Sequence, residues 1–280
     1  MRRGVLAEAR PVRQVDVAEA AAGEWADAPT ILKQAAAHWP ACQGAWTPEE
    51  LAKRDVVATV RQTTQHGANG RFPYVEPVLR WVYRSKAPVR TTRMRLERCV
   101  SDLPSRSLYV QTAVRHTCLV SDVGAPAKLR RDETDALWQR LRDASTHWVE
   151  AQPPRLWLSC GGAISPTHFD TSHSVLVQCH GRKRMLLFHP NDTPRLGQYP
   201  NTHPLRRRAL LDITAEDNEC VRASHPAFFV EPRPIAWEAV LDAGDVLVFP
   251  PFWMHWTESL GSASASLTRR FRRPRGWSCL

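Results

Sequence analysis

Three side chains in this sequence are of the types that hold a transition metal. His168 and Asp170 are separated by one residue, and His255 lies far downstream in GDVLVFPPFWMHWTESL, Gly244 to Leu260. Two imidazoles and one carboxylate on one face of an octahedral ion leave three positions open, the arrangement of non-haem Fe(II) oxygenases. A co-substrate can fill two of those positions and dioxygen the third. The His-x-Asp spacing suits an extended strand, in which residues i and i+2 face the same side, so Phe169 is expected to point the other way, into packing. Lys183 follows in GRKRMLLF. On a strand it shares a face with Met185 and Leu187, while Arg182, Arg184 and Leu186 share the other. A lysine turned into an apolar interior is costly unless paired. An anionic co-substrate would remove that cost; the competing reading is a lysine at an exposed strand end. His-x-Asp is a common triplet, and its weight here comes from context. Both histidines border short, apolar, turn-bounded segments that read as strands.

These groups need a closed β-structure that brings remote strands together. Pro29–Leu32, Val56–Val60 and Ala263–Phe271 read as strands. Thr47-Pro48-Glu49-Glu50 is a helix start, with Thr47 as N-cap, Pro48 in the first turn and Glu50 closing a capping box. Further short helices are expected from Asp16, as N-cap, to Trp25, over Pro77–Tyr83 and over Met94–Leu103. The segment from Gly67 to Gly70 reads as a loop. Arg131–Val149 carries the clearest helical stripe, with Leu137, Leu141, Ala144 and Trp148 on one face. Asp132 or Thr134 can cap it. Pro153-Pro154 ends it and is expected to launch the first metal-bearing strand. From Asn191 to Pro234 the chain is rich in Pro, Arg and His without clear periodicity, and a loop that long is usually functional. His203 and His225 within it read as solvated or hydrogen-bonded. His173 has the wrong strand parity for the metal, and His180 and His189 read as structural.

The two metal-bearing segments resemble the JmjC family of Fe(II)/2-oxoglutarate oxygenases, in its small hydroxylase branch. GGAISPTHFDTSHSVLVQCHGRKRMLLFHP is similar to the family's G-x-x-S/T-P-x-H-x-D…Q-x-x-G-x-K-R…L-F-x-P, and LDAGDVLVFPPFWMHWTESL to its L-x-x-G-D-x-L-x-I-P-x-x-W-x-H-x-V-x-S. YPNTHPLRRRALLDITAEDN resembles a stretch of the hypoxia-pathway asparaginyl hydroxylase, and SLYVQ looks like the family's Y-L-Q-Q. The likeness spans roughly residues 25 to 271. It implies a double-stranded β-helix (jelly-roll, cupin) core with flanking helices. By position it implies that His168, Asp170 and His255 bind iron and that Lys183 pairs with the distal carboxylate of 2-oxoglutarate. Ser165 takes the place of a threonine, and Tyr109 that of a tyrosine, that contact the same carboxylate. Ser174 and Arg270 depart from the family, which often has asparagine at both positions near the co-substrate. By the same likeness residues 1–104 form a flanking region packed on the barrel, 105–272 the catalytic core and 273–280 a short basic tail.

Composition sets the outer bounds. The chain has 280 residues, 43% hydrophobic, with eleven Trp, enough for a sizeable core. No run of about eighteen apolar residues offers a membrane span, and the N-terminus lacks the apolar stretch of a secretory signal. Glu8 and Asp16 argue against a mitochondrial address. Seven cysteines stand singly without a CxxC pair, which speaks against a zinc finger and for free thiols in a reducing, cytoplasmic or nuclear compartment. The net charge is +10, which permits an acidic partner, nucleic acid or protein, by steering. The densest runs, Arg206–Arg208 and Arg269–Arg275, read as a solvated basic edge or as phosphate contacts. The activity that the resemblance implies is Fe(II)- and 2-oxoglutarate-dependent hydroxylation with O2, giving succinate and CO2. A protein side chain is the first expected substrate, an RNA nucleoside the second and N-methyl-lysine the third. A monomer is expected. Two other classes stay open: a non-catalytic cupin-like binding module, which the changes at Ser174 and Arg270 would suit, and a cupin with another metal, such as a zinc isomerase. Lys183 separates the last, since a zinc site needs no such partner.

Overall fold

The computed structural model of the chain describes residues 5–6, 9–16, 27–63, 70–73, 75, 89–105, 108–124 and 149–272. Twelve strands are described: β1 Ala9–Pro11, β2 Arg13–Asp16, β3 Thr30–Lys33, β4 Val57–Thr63, β5 Val89–Arg95, β6 Leu108–Ala113, β7 Val149–Cys160, β8 Ile164–His168, β9 His173–Phe188, β10 Ala236–Leu241, β11 Val246–Phe249 and β12 Met254–Arg272. The spine is the antiparallel pair β9–β12, strands of 16 and 19 residues. Their ladder is interrupted at Gly181 and Gly261, both with positive φ (66° and 75°). At these bends each strand passes from one sheet into another. The first half of β9 and the second half of β12 lie in the larger sheet, ordered β2-β3-β11-β9-β12-β7-β6-β4-β5. The other halves form a smaller sheet, flanked by β10 with β1 on one side and by β8 on the other. Two sheets sharing two bent strands make a jelly roll.

Glycine is required where the bends pass close to their neighbours. A Cβ on Gly161, in the β7–β8 turn, would lie 1.7 Å from the Gly261 carbonyl oxygen. One on Gly181 would lie 2.1 Å from that of Ala263.

Strand β11 is buried along its whole length, as a strand covered on both faces must be. Val246 and Val248 face a cluster with Trp39, Trp46, Leu51, Leu96, Val175 and Leu267 on the outside of the larger sheet. Leu247 and Phe249 face inward, with Met185, Leu187 and Trp253. Helices α1, Pro48–Ala52, and α2, Leu96–Asp102, belong to the outer layer, through Leu51, Leu96 and Cys99. The outside of the smaller sheet is covered by the segment after β9, through Leu196, Leu211, Ile213 and Phe228 against Leu186, Phe188 and Trp256.

The expected capping box at α1 is half formed: the Glu50 N–H donates to Thr47 Oγ1 at 3.2 Å. Other expectations shift. Asp16 ends β2 opposite Lys33, in the parallel pairing with β3, and the helix it was expected to cap lies outside the described residues. The helix expected from Met94 begins at Leu96, since β5 stays paired with β4 through Arg95. Pro153 and Pro154 lie inside β7, where the ladder to β12 shifts register. Proline offers no N–H to a ladder and is tolerated at such irregularities. Strand β7 carries none of the three candidate ligands; His168 ends β8 instead. The rest of the expected 16–25 helix, the helices at 77–83 and 131–148, and the loop residues before Gly70 lie outside the described residues. No described helix is long and apolar enough to cross a membrane. The six described cysteines are free thiols.

Candidate metal centre

His168 ends β8 and His255 opens β12, and the two are direct cross-strand neighbours. Their ring centroids are 4.3 Å apart. Each ring is anchored in the same way. His168 Nδ1 lies 2.9 Å from the Pro166 carbonyl oxygen, and His255 Nδ1 lies 3.0 Å from that of Trp253. A ring nitrogen that donates to a carbonyl carries the proton, so Nε2 keeps its lone pair for a metal. Asp170 stands just beyond β8 and is tied down through its backbone. The Phe252 N–H donates to the Asp170 carbonyl at 2.8 Å, and Phe252 adopts a left-handed backbone (φ 68°) there. His255 Nε2 is 3.8 Å from Asp170 Oδ2, and the three ligand-type atoms lie within 4.8 Å of one another.

Burial pushes the pKa of His168 well below 6.5, reinforced by the neighbouring His255 and by Arg208. Burial also lowers His255, against the opposing pull of Asp170. Both imidazoles are therefore neutral at pH 7, the form that ligates metal. Two oriented neutral imidazoles and a carboxylate converging on one point fit a divalent cation. Arg270 complicates that fit, since its Nη2 lies 2.6 Å from Asp170 Oδ2. A cation in this cluster must share the Asp170 carboxylate with Arg270 or displace it.

Lys183, on the inward face of β9 as its spacing with Met185 and Leu187 indicates, is 2% exposed. Its Nζ donates to Ser266 Oγ at 2.6 Å, and no carboxylate pairs with it among the described residues. Burial lowers its pKa from 10.5 to about 8. Ser174 Oγ is buried with no hydrogen-bond partner among the described residues. The Tyr109 hydroxyl is pushed up to about 12 by burial. These three groups line one chamber of about 50 Å³ beside the histidines, together with Ser165 and Arg270. The smaller sheet supplies Ser165, Lys183 and His255; the larger supplies Tyr109, Ser174 and Arg270. Ser174 and Arg270, the two departures from the family pattern, are cross-strand partners.

Other residues of the site escaped sequence reasoning. Trp157, Thr257, Thr268 and Phe249 wall the chamber, and only their strand parity could have marked them. Arg206–Arg208 do not form a solvated edge: they line a cleft together with His168 and Asp170, and Arg208 is 3% exposed with its Nη1 donating to the Pro166 carbonyl. Arg269 is buried against Glu150. The Arg206–Arg208 stretch is held beside β8 by its backbone: the Phe169 N–H donates to the Arg207 carbonyl and the Ala209 N–H to the Thr167 carbonyl, both at 3.0 Å. Phe169 packs on the outer cluster of the smaller sheet as expected and also borders the cleft. His173, His180, His189, His203 and His225 stand outside the metal-type cluster. His189 meets the ring of Trp253, and His203 stacks on Tyr199.

The chain shows recognisable likeness to known proteins. Jumonji C domain-containing protein 5 of Drosophila melanogaster is 33% identical over 106 residues, 38% of this chain and 24% of that protein. HSPB1-associated protein 1 of Mus musculus is 34% identical over 144 residues, 50% of this chain and 28% of that protein. The tRNA wybutosine-synthesizing protein 4 of Emericella nidulans is 26% identical over 270 residues, 94% of this chain and 22% of that protein. The chain thus spans under a third of the length of each of these relatives. A family model described as a cupin-like domain matches residues 24–275. With the jelly roll and the paired histidines already in place, that match over nearly the whole chain establishes that it belongs to the cupin-like domain family, alongside JmjC-domain proteins.

Proposed function

We propose that this chain is an Fe(II)- and 2-oxoglutarate-dependent oxygenase that hydroxylates a protein side chain. The observation that carries the reading is a juxtaposition. Two neutral, oriented imidazoles and Asp170 share a chamber with a buried amine, Lys183, that has no carboxylate partner among the described residues. His168, Asp170 and His255 would hold the ion. Lys183, with Tyr109, Ser165 and Ser174, would hold the distal carboxylate of 2-oxoglutarate, supplying the anion that the amine lacks. When bound, iron with 2-oxoglutarate and O2 supplies the oxidising chemistry, and the co-substrate leaves as succinate and CO2. The chain's own part is to orient the ligands through the Pro166 and Trp253 carbonyls, to keep the chamber dry with Phe249, Leu176 and Met185, and to present the substrate from the cleft. A zinc isomerase would have no use for Lys183. Hydroxylation of an RNA nucleoside is the second reading, favoured by the alignment with tRNA wybutosine-synthesizing protein 4 along 94% of the chain.

The test is anaerobic absorption spectroscopy on metal-free protein, adding Fe(II) and then 2-oxoglutarate. A new visible charge-transfer band is expected, because it requires the co-substrate to chelate iron. It should vanish in His168→Ala and weaken in Lys183→Ala. Metal binding without a band would sink the 2-oxoglutarate reading, and absence of metal binding would leave a non-catalytic cupin.

A further inference from the structure

Lys183 stands at a corner of the fold. Its backbone lies in the smaller sheet, where its partner across the ladder is Ser259. Its Nζ instead reaches Ser266 Oγ at 2.6 Å. Ser266 lies in the larger sheet, opposite Gln178 on β9 and Trp157 on β7. The side chain therefore spans the bends at Gly181 and Gly261 and ties the two sheets together from inside. Both residues are closed off from solvent, Lys183 at 2% and Ser266 at 0% exposure.

The anchor of this tether is rigid and its load is flexible. At Ser266, β12 is paired on both flanks. Nearby, Ser264 Oγ accepts from Gln178 Nε2 at 3.0 Å, and the Ser259 and Ser159 hydroxyl oxygens are 2.8 Å apart. A lysine, by contrast, carries its ammonium on a flexible four-carbon stem. A free stem would let Nζ sample many positions; the bond to Ser266 holds it at one. An ammonium has three N–H donors. Ser266 takes one, and two remain for the two oxygens of a carboxylate.

The chamber offers such an anion one place to bind. Lys183 lines it together with the His168–Asp170–His255 cluster and with the apolar side chains of Leu176, Met185 and Phe249. The other cation of the lining, Arg270, is engaged by Asp170 at 2.6 Å. A ligand that chelates at the cluster and carries a carboxylate at its far end meets an ammonium fixed from behind.

We propose that Ser266 is a positioning residue that sets the length of the diacid this chamber accepts. By fixing the Lys183 ammonium, it selects a 2-oxo acid whose second carboxylate stands at one distance from the chelating end. The inference rests on the oxygenase reading, and it assigns the choice of co-substrate to a residue that acts only through Lys183.

The experiment is calorimetry on the full chain loaded with Mn(II), titrated with three 2-oxo acids. These are 2-oxoglutarate, 2-oxoadipate, which is one methylene longer, and 2-oxopentanoate, which lacks the second carboxylate. Wild type is expected to bind 2-oxoglutarate at least about tenfold more tightly than either of the others. Ser266→Ala should bring the preference over 2-oxoadipate below about threefold and leave 2-oxopentanoate unchanged. Ser266→Cys, which keeps the shape and a weaker acceptor, should fall between. A variant that merely loosened the fold would weaken all three acids alike, so an unchanged ratio in Ser266→Ala overturns the proposal. Wild type that favours 2-oxoglutarate over 2-oxopentanoate but not over 2-oxoadipate overturns length selection alone. Wild type that binds 2-oxoglutarate no better than 2-oxopentanoate overturns the role of Lys183 in the oxygenase reading, and the tether falls with it.

Discussion

A protonated amine at Lys183 has one neutral hydroxyl, Ser266 Oγ, to satisfy it. Burial lowers its pKa from 10.5 to about 8, so between those values the folded chain binds fewer protons than the unfolded one. Stability therefore rises with pH across that window, and the penalty is fully present below pH 8. Its size is about 3 kcal/mol, from 1.36 kcal/mol for each pH unit. Lys183→Met removes the charge and leaves Ser266 short of a partner, a loss of about 1–2 kcal/mol. The variant should be more stable than wild type by about 1–2 kcal/mol at pH 7, with the advantage fading towards pH 10. Thermal melts at both pH values check this, and a variant less stable at pH 7 would show that the amine already has an anionic partner. Arg270 makes the opposite kind of demand, because it occupies Asp170 Oδ2. Arg270→Asn should tighten Mn(II) binding, measured by calorimetry, by about tenfold, or 1.4 kcal/mol; unchanged affinity would mean that Arg270 steps aside at no cost. Of the five polar residues assigned beside the histidines, Lys183 was legible from its strand parity, and the other four came from the family resemblance. The Arg270–Asp170 contact was not, since it crosses from one sheet to the other and neither strand's spacing encodes the gap.

At the scale of elements, the close approach of the β7–β8 turn to the bend in β12 decides whether the two sheets can share their long strands. Alanine at Gly161 would place its Cβ 1.7 Å from the Gly261 carbonyl oxygen, and both sides of that contact are backbone. Gly161→Ala should cost about 3 kcal/mol, the upper end for overpacking, and lower Tm by about 6–10 °C. Gly162 has positive φ but open space around it, so Gly162→Ala should cost only about 1 kcal/mol from backbone strain. Equal losses of Tm in the two variants would show that the sheets adjust around Gly161. Elements with strong local signals were legible. The Thr47-Pro48 start gave α1, and the apolar run of β11 suited a strand buried on both faces. Elements defined by a partner were not. Met94–Arg95 favours a helix start by local chemistry, yet it is held in a ladder with β4. Pro153 and Pro154 read as breakers, but a register shift in the ladder accommodates them.

At the scale of the whole molecule, the candidate site is where the two sheets meet. Ser165, Lys183 and the histidines stand on one wall, and Tyr109, Ser174 and Arg270 on the other. The need for a closed β-structure was legible, because ligands so far apart in sequence can converge only if the chain returns on itself. The convergence of arginines from β4, β7, β12 and the 204–208 segment on one cleft was not, since charge runs in a sequence do not say which way they face. A ligand that bridges the two walls binds only the folded chain, so it must raise stability by RT ln(1 + [L]/Kd), about 2.7 kcal/mol at a hundredfold excess over Kd. Mn(II) with 2-oxoglutarate should therefore raise Tm by about 5–10 °C, and a chelator should reverse the gain. His168→Ala should lose the whole shift. Lys183→Met should keep the part due to metal alone and lose the part added by 2-oxoglutarate. Should 2-oxoglutarate raise Tm as much in Lys183→Met as in wild type, its carboxylate would be held elsewhere, with the arginines of the cleft the first place to look.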